Sequence, residues 1–206
     1  MRPHALIPVT LLSLALPAHA GVLVDYGSDY AALNDAGVIR SEDNPNNQFG
    51  FEQFQLFSID AAEQAWRIDR VTVHVRAWNT ISTGEGSLAI YRASGLEPDL
   101  AQKVSGDFVF STDSLIGEAV RLDLGGVVLE SGTYFVGIEA AEPTAELLWL
   151  AGDETAFRTA RRSDGAFFSG SPRSLSLSIS GEVIPAPPGS ALLMGAGVLI
   201  ARRRRN

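Results

Sequence analysis

Short runs in which apolar and polar residues alternate constrain the fold of this chain more than any other feature. The run SLSLSISGEV, Ser174 to Val183, places Leu175, Leu177 and Ile179 on one side of an extended chain and serines on the other. A period of two residues is that of a half-buried β-strand, because successive side chains of a strand point to opposite faces. No long segment has the period of a helix. The sequence therefore predicts an all-β protein.

Nine such runs are expected to form strands, and segments rich in Gly, Asn, Asp, Ser and Pro separate them. They are Gly21 to Tyr26, Phe51 to Ser58, Val71 to Trp78, Ser87 to Ala93, Gly106 to Ser111, Glu118 to Leu124, Thr133 to Ala140, Ala145 to Gly152 and Ser174 to Val183. Many short strands in about 160 residues predict one antiparallel β-sandwich. Two short helical turns are also expected, one from Ser28 to near Gly37 and one from Asp60.

The segment LESGTY, Leu129 to Tyr134, has the spacing of a tyrosine corner. In this motif a tyrosine hydroxyl bonds to nearby backbone at a crossover of a β-sandwich. The stretch from Phe51 to Trp149 also resembles jelly-roll domains, through GSLAIYRASG and the later LESGTYFVGIE. Both features favour a jelly-roll-like sandwich.

The first 20 residues have the order of a secretory signal peptide. A basic start at Arg2 precedes an apolar stretch from Ala5 to Leu16, and Ala18 and Ala20 form a small-x-small cleavage signal. A buried N-terminal helix is the alternative, and the apolar stretch is too short to span a bilayer comfortably. We expect the mature protein to begin at Gly21.

Residues 184–206 combine a proline motif, a short apolar segment and a basic end. The motif is Ile184, Pro185, Ala186 and Pro187, and the basic end is Arg202, Arg203, Arg204 and Arg205. Arginines after an apolar segment are expected to stay on the cytoplasmic side of the membrane. The tail is thus predicted to hold the exported domain, residues 21–183, at the inner membrane, at least transiently.

This tail resembles the C-terminal sorting signal of PEP-CTERM proteins, whose signature is Val-Pro-Glu-Pro, an apolar helix and an arginine cluster. Here Ala186 stands in the place of the glutamate, so a variant of the usual processing enzyme is implied. The resemblance implies an exported protein that an exosortase-like enzyme processes, at the cell surface or in the extracellular matrix of exopolysaccharide-producing bacteria. A permanent single-span anchor is the alternative, and it differs only in whether the tail survives.

The exported domain is strongly acidic. All 24 acidic residues of the chain lie in it, whereas five of the 16 basic residues lie in the two terminal segments. Such a domain should repel nucleic acid and anionic membrane surfaces. The absence of cysteine excludes a disulfide framework and thiolate chemistry.

One loop gathers oxygen ligands of the kind that calcium prefers. They are Glu42, Asp43, Asn44 and Asn46, but Pro45 occupies the place of a ligand in the EF-hand spacing. We favour a polar turn over a calcium site, because these residues commonly form turns. No other cofactor is expected.

Catalytic machinery is not evident in the exported domain. His74 is its only histidine, on the polar face of its strand, and we expect it to be a surface or cross-strand residue. No Gly-x-Ser-x-Gly elbow or phosphate-binding glycine motif accompanies it. Paired carboxylates could serve a glycosidase, but the many acidic residues make chance pairs common, and a substrate cleft would need longer insertions than these loops provide. We expect a non-enzymatic protein.

Tryptophan offers the one aromatic candidate for binding. Trp78 falls on the polar side of its strand, where an exposed ring could stack on a sugar. A bulge between Ile68 and Val71 would instead shift it into the core, and we favour that placement. Trp66 and Trp149 have apolar neighbours and are expected in the core. The sequence predicts a structural or adhesive surface protein, with a carbohydrate-binding module for extracellular polysaccharide as the alternative.

Overall fold

The computed structural model describes residues 21–27, 36–40, 50–59, 64–78, 84–152, 159–169 and 174–185. The predicted signal peptide with its cleavage site, the acidic loop from Glu42 to Asn46, and the tail from Ala186 onward lie outside these residues. Within the described ranges, no helix is long and apolar enough to cross a membrane.

Thirteen β-strands make up the described part of the chain. They are β1 (Gly21–Asp25), β2 (Ala36–Arg40), β3 (Glu52–Ile59), β4 (Gln64–Ala77), β5 (Glu85–Ser94), β6 (Glu97–Lys103), β7 (Phe108–Ser111), β8 (Glu118–Glu130), β9 (Gly132–Ala140), β10 (Glu146–Leu150), β11 (Thr159–Ser163), β12 (Ala166–Ser169) and β13 (Leu177–Pro185). All nine predicted strands are confirmed. β13 continues through Ile184 and Pro185, the first two residues of the predicted sorting motif.

The strands form two antiparallel sheets that pack as a sandwich. The first sheet has the order β1-β13-β4-β10-β2, and β8 also pairs with β4. The second sheet has the order β12-β11-β3-β9-β5-β6, and β7 also pairs with β5. The predicted jelly-roll-like β-sandwich is confirmed.

The core between the sheets follows the predicted alternation. In β4 the side chains of Val71, Val73, Val75 and Ala77 are buried. The largest core side chain is Trp149 of β10, whose indole N–H donates a hydrogen bond to the Ser176 carbonyl at 2.8 Å. A polar group that is buried with a partner avoids the cost of desolvation without compensation. Trp66 is partly buried and packs against the same core.

The predicted tyrosine corner is present where β8 passes into β9. The Tyr134 hydroxyl donates to the Glu130 carbonyl at 2.9 Å, four residues upstream. Its ring is fully buried and stacks on Phe57 with ring centroids 5.6 Å apart. The motif thus joins the turn between two strands to the core of the second sheet.

Replacing Tyr134 with phenylalanine should lower the free energy of unfolding by about 1–3 kcal/mol, because the Glu130 carbonyl loses its partner. Urea unfolding measures this change. Tyr91→Phe is the matched control, since the Tyr91 hydroxyl makes no hydrogen bond to a described residue, and its stability should change little. Equal losses in the two variants would contradict a stabilising role for the corner.

Four strands were missed from sequence. β2, β6, β11 and β12 are short or polar, so they lack the alternation that marked the others. Of the two expected helical turns, the one from Asp60 and all but the last residues of the one from Ser28 lie outside the described residues, and Ala36 to Arg40, where the latter was expected to end, pair with β10 as strand β2. Cross-strand pairing can override a weak local preference.

Candidate functional site

The second sheet has a second apolar cluster on its outer face, which points away from the first sheet. Phe54, Ala89, Tyr91, Phe135 and Ala160 form it and are buried. They alternate along their strands with the core residues of the same sheet, as Leu88 and Ile90 do with Ala89 and Tyr91. An antiparallel sandwich usually leaves its outer faces polar, so this face is exceptional.

Aromatic rings pack closely across this outer face. The Phe54 ring meets the Tyr91 ring edge-on, with centroids 5.9 Å apart, and meets the Phe167 ring at 5.8 Å. Gly137 lies beneath them, and a Cβ atom there would come within 2.6 Å of the Phe54 ring and 3.0 Å of the Tyr91 ring. Glycine is therefore needed for the rings to lie against the strand.

The rings of Phe54 and Tyr91 line a depression of about 190 Å³, here called the outer cleft. Its walls are Glu52, Tyr91, Leu100, Lys103, Glu139 and Arg162, over Phe54 and Gly137. The cleft lies on the face of a sheet and not between loops. Short loops therefore did not prevent it from forming.

Strand register explains why charged side chains meet in the outer cleft. Gln53 pairs with Ile138, so Glu52 and Glu139 are the next neighbours across β3 and β9. Arg162 of β11 lies opposite Glu52, and Lys103 of β6 lies opposite Tyr91. Side chains directly opposite on one face interact, and like charges there destabilise the sheet unless they are compensated.

Two ion pairs compensate most of these charges. Arg162 Nη1 lies 2.8 Å from Glu52 Oε1, and Lys103 Nζ lies 2.6 Å from Asp107 Oδ1. The Lys103 ammonium also lies 5.6 Å from the centre of the Tyr91 ring. The hydrogen bond to Asp107 raises the pKa of Lys103, which therefore stays charged at neutral pH.

The Glu139 carboxylate makes no ion pair or hydrogen bond with any described residue, in contrast to the Glu52 carboxylate. It is half-buried, and burial followed by the negative charge of Glu52 raises the pKa of its carboxyl group. Burial and the charge of Glu139 together raise the pKa of Tyr91 to about 12. Tyr91 is thus a neutral hydroxyl donor at physiological pH, in the same cleft as a carboxylate that Lys103 and Arg162 stabilise only from a distance.

Trp78, the predicted sugar-stacking candidate, lies on the outer face of the other sheet. Its side chain is 42% exposed, so the favoured core placement was wrong. The predicted bulge does occur, between Ile68 and Arg70, but it precedes Val71 and leaves the alternation from Val71 to Trp78 intact. The guanidinium carbon of Arg40 lies 5.8 Å from the centre of the ring, and Arg40 Nε lies 2.9 Å from Glu146 Oε1.

His74 is buried, with 6% of its surface exposed, and lies opposite Ala119 of β8, so of the two expected positions the surface one is wrong and the cross-strand one is observed. Its backbone N–H donates to the Ser176 hydroxyl at 3.0 Å. Burial and then the charge of Arg121 lower the pKa of its imidazole. In the ranges that the structure describes, no three His, Asp or Glu side chains are grouped so that they could hold a metal ion.

The residues of the outer cleft were not identified from the sequence. The signal in the sequence was a strand with apolar side chains on both of its faces. The run FEQFQLF has phenylalanines at positions 51, 54 and 57, and position 54 falls on the opposite face from the other two. Such a strand is buried on both faces, or carries a second packed surface. The charged residues gave no signal, because they meet only through pairing between distant segments.

Comparisons with known proteins identify no family. No family model matches the chain, and no curated protein matches it. One similar solved structure is that of TmCBM61 in complex with β-1,4-galactotriose. The likeness covers 82% of this chain and 86% of that one, with 9% identity and a TM-score of 0.27, which is too low to support an argument about function.

Proposed function

We propose that this protein is an exported, non-enzymatic adhesive protein of the cell envelope or matrix that binds extracellular polysaccharide in the outer cleft. The observation that carries the proposal is the convergence of polar groups over an aromatic floor. Concave sites with an apolar lining and a few placed polar groups are the usual form of ligand sites.

The polar groups of the outer cleft suit a ligand rich in hydroxyls. Tyr91 offers an O–H donor, Arg162 and Lys103 offer charged donors, and Glu139 offers an acceptor. A sugar ring can use all three kinds of group, because each hydroxyl both donates and accepts. The aromatic and aliphatic lining suits its C–H faces.

The size of the outer cleft favours one residue of a polymer. At about 190 Å³ it is smaller than the roughly 300–1,000 Å³ of pockets that enclose drug-sized ligands. A single sugar residue would occupy it while the polymer continued over the sheet on either side. The predicted signal peptide and sorting tail support a location where such polymers occur.

The first test uses residues 21–185, which contain every described strand, and the extracellular polysaccharide of the host organism. Affinity electrophoresis and calorimetry should detect saturable binding both with calcium and with chelator. Tyr91→Phe should weaken binding about fivefold to tenfold, because one hydrogen bond is lost while the ring packing stays. Undiminished binding in this variant would exclude the outer cleft as the site.

Trp78→Ala separates the two aromatic surfaces, and we expect it to bind normally. Loss of binding in that variant would move the site to Trp78 and Arg40. Loss of binding in chelator alone would point to the predicted calcium ligands Glu42, Asp43, Asn44 and Asn46. If the native chain bound no polysaccharide with calcium or with chelator, the remaining function would be that of a structural coat protein.

A further inference from the structure

We infer that the saccharide bound in the outer cleft carries a positively charged amino group, and that Glu139 holds this group. The inference rests on the proposed function and adds to it the chemical class of the ligand. It is drawn from the charges of the cleft and from the partner that each charge has.

The charges around the cleft leave one carboxylate without a partner. Arg162 is paired with Glu52, and Lys103 is paired with Asp107. The Glu139 carboxylate has no ion pair or hydrogen bond with a described residue, although it is half-buried beside Glu52, and Lys103 and Arg162 act on it only at a distance. A charge that is partly removed from water and not paired is costly, so this position is completed by a ligand that supplies a cation.

An amine suits the Glu139 carboxylate better than a metal ion does. A calcium ion takes six to eight oxygen ligands. The described residues contain no group of three or more acidic or histidine side chains that could hold a metal. One carboxylate with the neutral Tyr91 hydroxyl beside it instead matches a single ammonium group.

The same charges disfavour an acidic polysaccharide. A uronate entering the cleft would meet Glu139 directly, while the charges of Arg162 and Lys103 are largely offset by their ion pairs with Glu52 and Asp107, although both side chains keep donors for hydroxyl groups. A neutral sugar would form an ordinary hydrogen bond with Glu139. An ammonium group would form a charge-assisted bond, which is roughly twice as strong.

Binding should depend on the ionised form of Glu139. The charged groups that face it are Glu52 from β3, Arg162 from β11 and Lys103 from β6 with its partner Asp107, and Tyr91 faces it from β5. Burial, Glu52 and Asp107 favour the protonated form of Glu139, Lys103 and Arg162 oppose it, and the net effect is a raised pKa. Once the amine of the sugar is fully protonated, affinity for an amino sugar should therefore decrease on further acidification, because the Glu139 carboxylate is lost early as pH falls.

The test compares three oligosaccharides on the full chain by calorimetry near neutral pH. They are a β-1,4-linked glucosamine oligomer, its fully N-acetylated counterpart and a uronate oligomer. We expect the glucosamine oligomer to bind about tenfold more tightly than the acetylated one and the uronate to bind least. Glu139→Gln should remove this preference, and Glu142→Gln, the same charge change on an exposed loop, should keep it.

Thermal unfolding shows whether Glu139→Gln remains folded. Because the pKa of Glu139 is raised in the folded protein, its protonation stabilises the fold. This contribution is complete below the pKa that glutamate has in the unfolded chain, and it is lost as the pH rises through the raised pKa of the folded protein. The variant should therefore be at least as stable as the native chain at pH 7, and lose this advantage at low pH. A less stable variant at pH 7 would overturn the view of Glu139 as an uncompensated carboxylate.

The outcomes separate the two proposals. Equal binding of the amino and acetylated oligomers, unaffected by Glu139→Gln, overturns the inference and leaves polysaccharide binding in place. Preferential binding of the uronate does the same. No binding of any oligomer or of the host polysaccharide overturns the proposed function as well.

Discussion

Replacing Trp149 with alanine is expected to lower the free energy of unfolding by about 3–5 kcal/mol, as large aromatic-to-alanine changes in cores do. Trp149 is fully buried at the centre of β10, between β2 and β4. Its removal leaves a cavity in the core. It also removes the partner of the Ser176 carbonyl, which receives the indole N–H at 2.8 Å.

Urea unfolding of the two tryptophan variants provides the measurement and its control. Trp78→Ala removes the same side chain from a site that is 42% exposed, so its loss of stability should be much smaller. The native chain and Trp149→Ala should show the same dependence of free energy on urea if both unfold in one step. Similar losses in the two variants would contradict the assignment of Trp149 to the core.

The second large effect is expected for Gly137→Ala, which should both weaken the fold and close the outer cleft. The added methyl group would lie 2.6 Å from the Phe54 ring, which Tyr91 and Phe167 hold on its other sides. Overpacking of this kind costs about 1–3 kcal/mol. Because the displaced rings are the floor of the cleft, oligosaccharide binding should be lost.

Gly106→Ala is the matched control, because no atom lies within 4 Å of a Cβ at that position. Both substitutions reduce the conformational entropy of the unfolded chain equally. The difference between their free energies of unfolding therefore measures the clash at Gly137. Unfolding and calorimetry of the pair measure the two effects together. Unchanged stability in Gly137→Ala would show that the rings can move aside, and retained binding would show that they do not define the site.

Fold class was predictable because it depends on patterns within short segments. The alternation in β4 and β13 and the spacing from Leu129 to Tyr134 are local, and both correspond to observed strands and to the tyrosine corner. The hairpin of β11 and β12 also had a local signal that was not used. Asp164 and Gly165 form its two-residue turn with φ of 50° and 76°, as Asp-Gly pairs commonly do.

The outer cleft was not predictable in the same way, because its residues are far apart in sequence. Glu52 meets Arg162 only after β3 pairs with β11, and meets Glu139 only after β3 pairs with β9. Strand order in a sheet depends on the whole chain, and no pattern within one strand encodes it. The predicted core position of Trp78 was wrong for a local reason. The bulge precedes Val71, so it does not change which face the residues from Val71 to Trp78 occupy relative to one another.

The position of β13 has a mechanical consequence if the tail holds the protein as we propose. Pro185 pairs with Gln64 at the end of the sandwich where β3 ends at Ile59, whereas Glu52 and Glu139 lie toward the other end. Tension between a bound polymer and the tail would therefore run along the strands. This tension would act in shear on the hydrogen bonds that join β13, from Leu177 to Pro185, to β4. Because these hydrogen bonds lie perpendicular to the strands, they would share the force. A domain built in this way resists pulling better than one that opens one bond at a time.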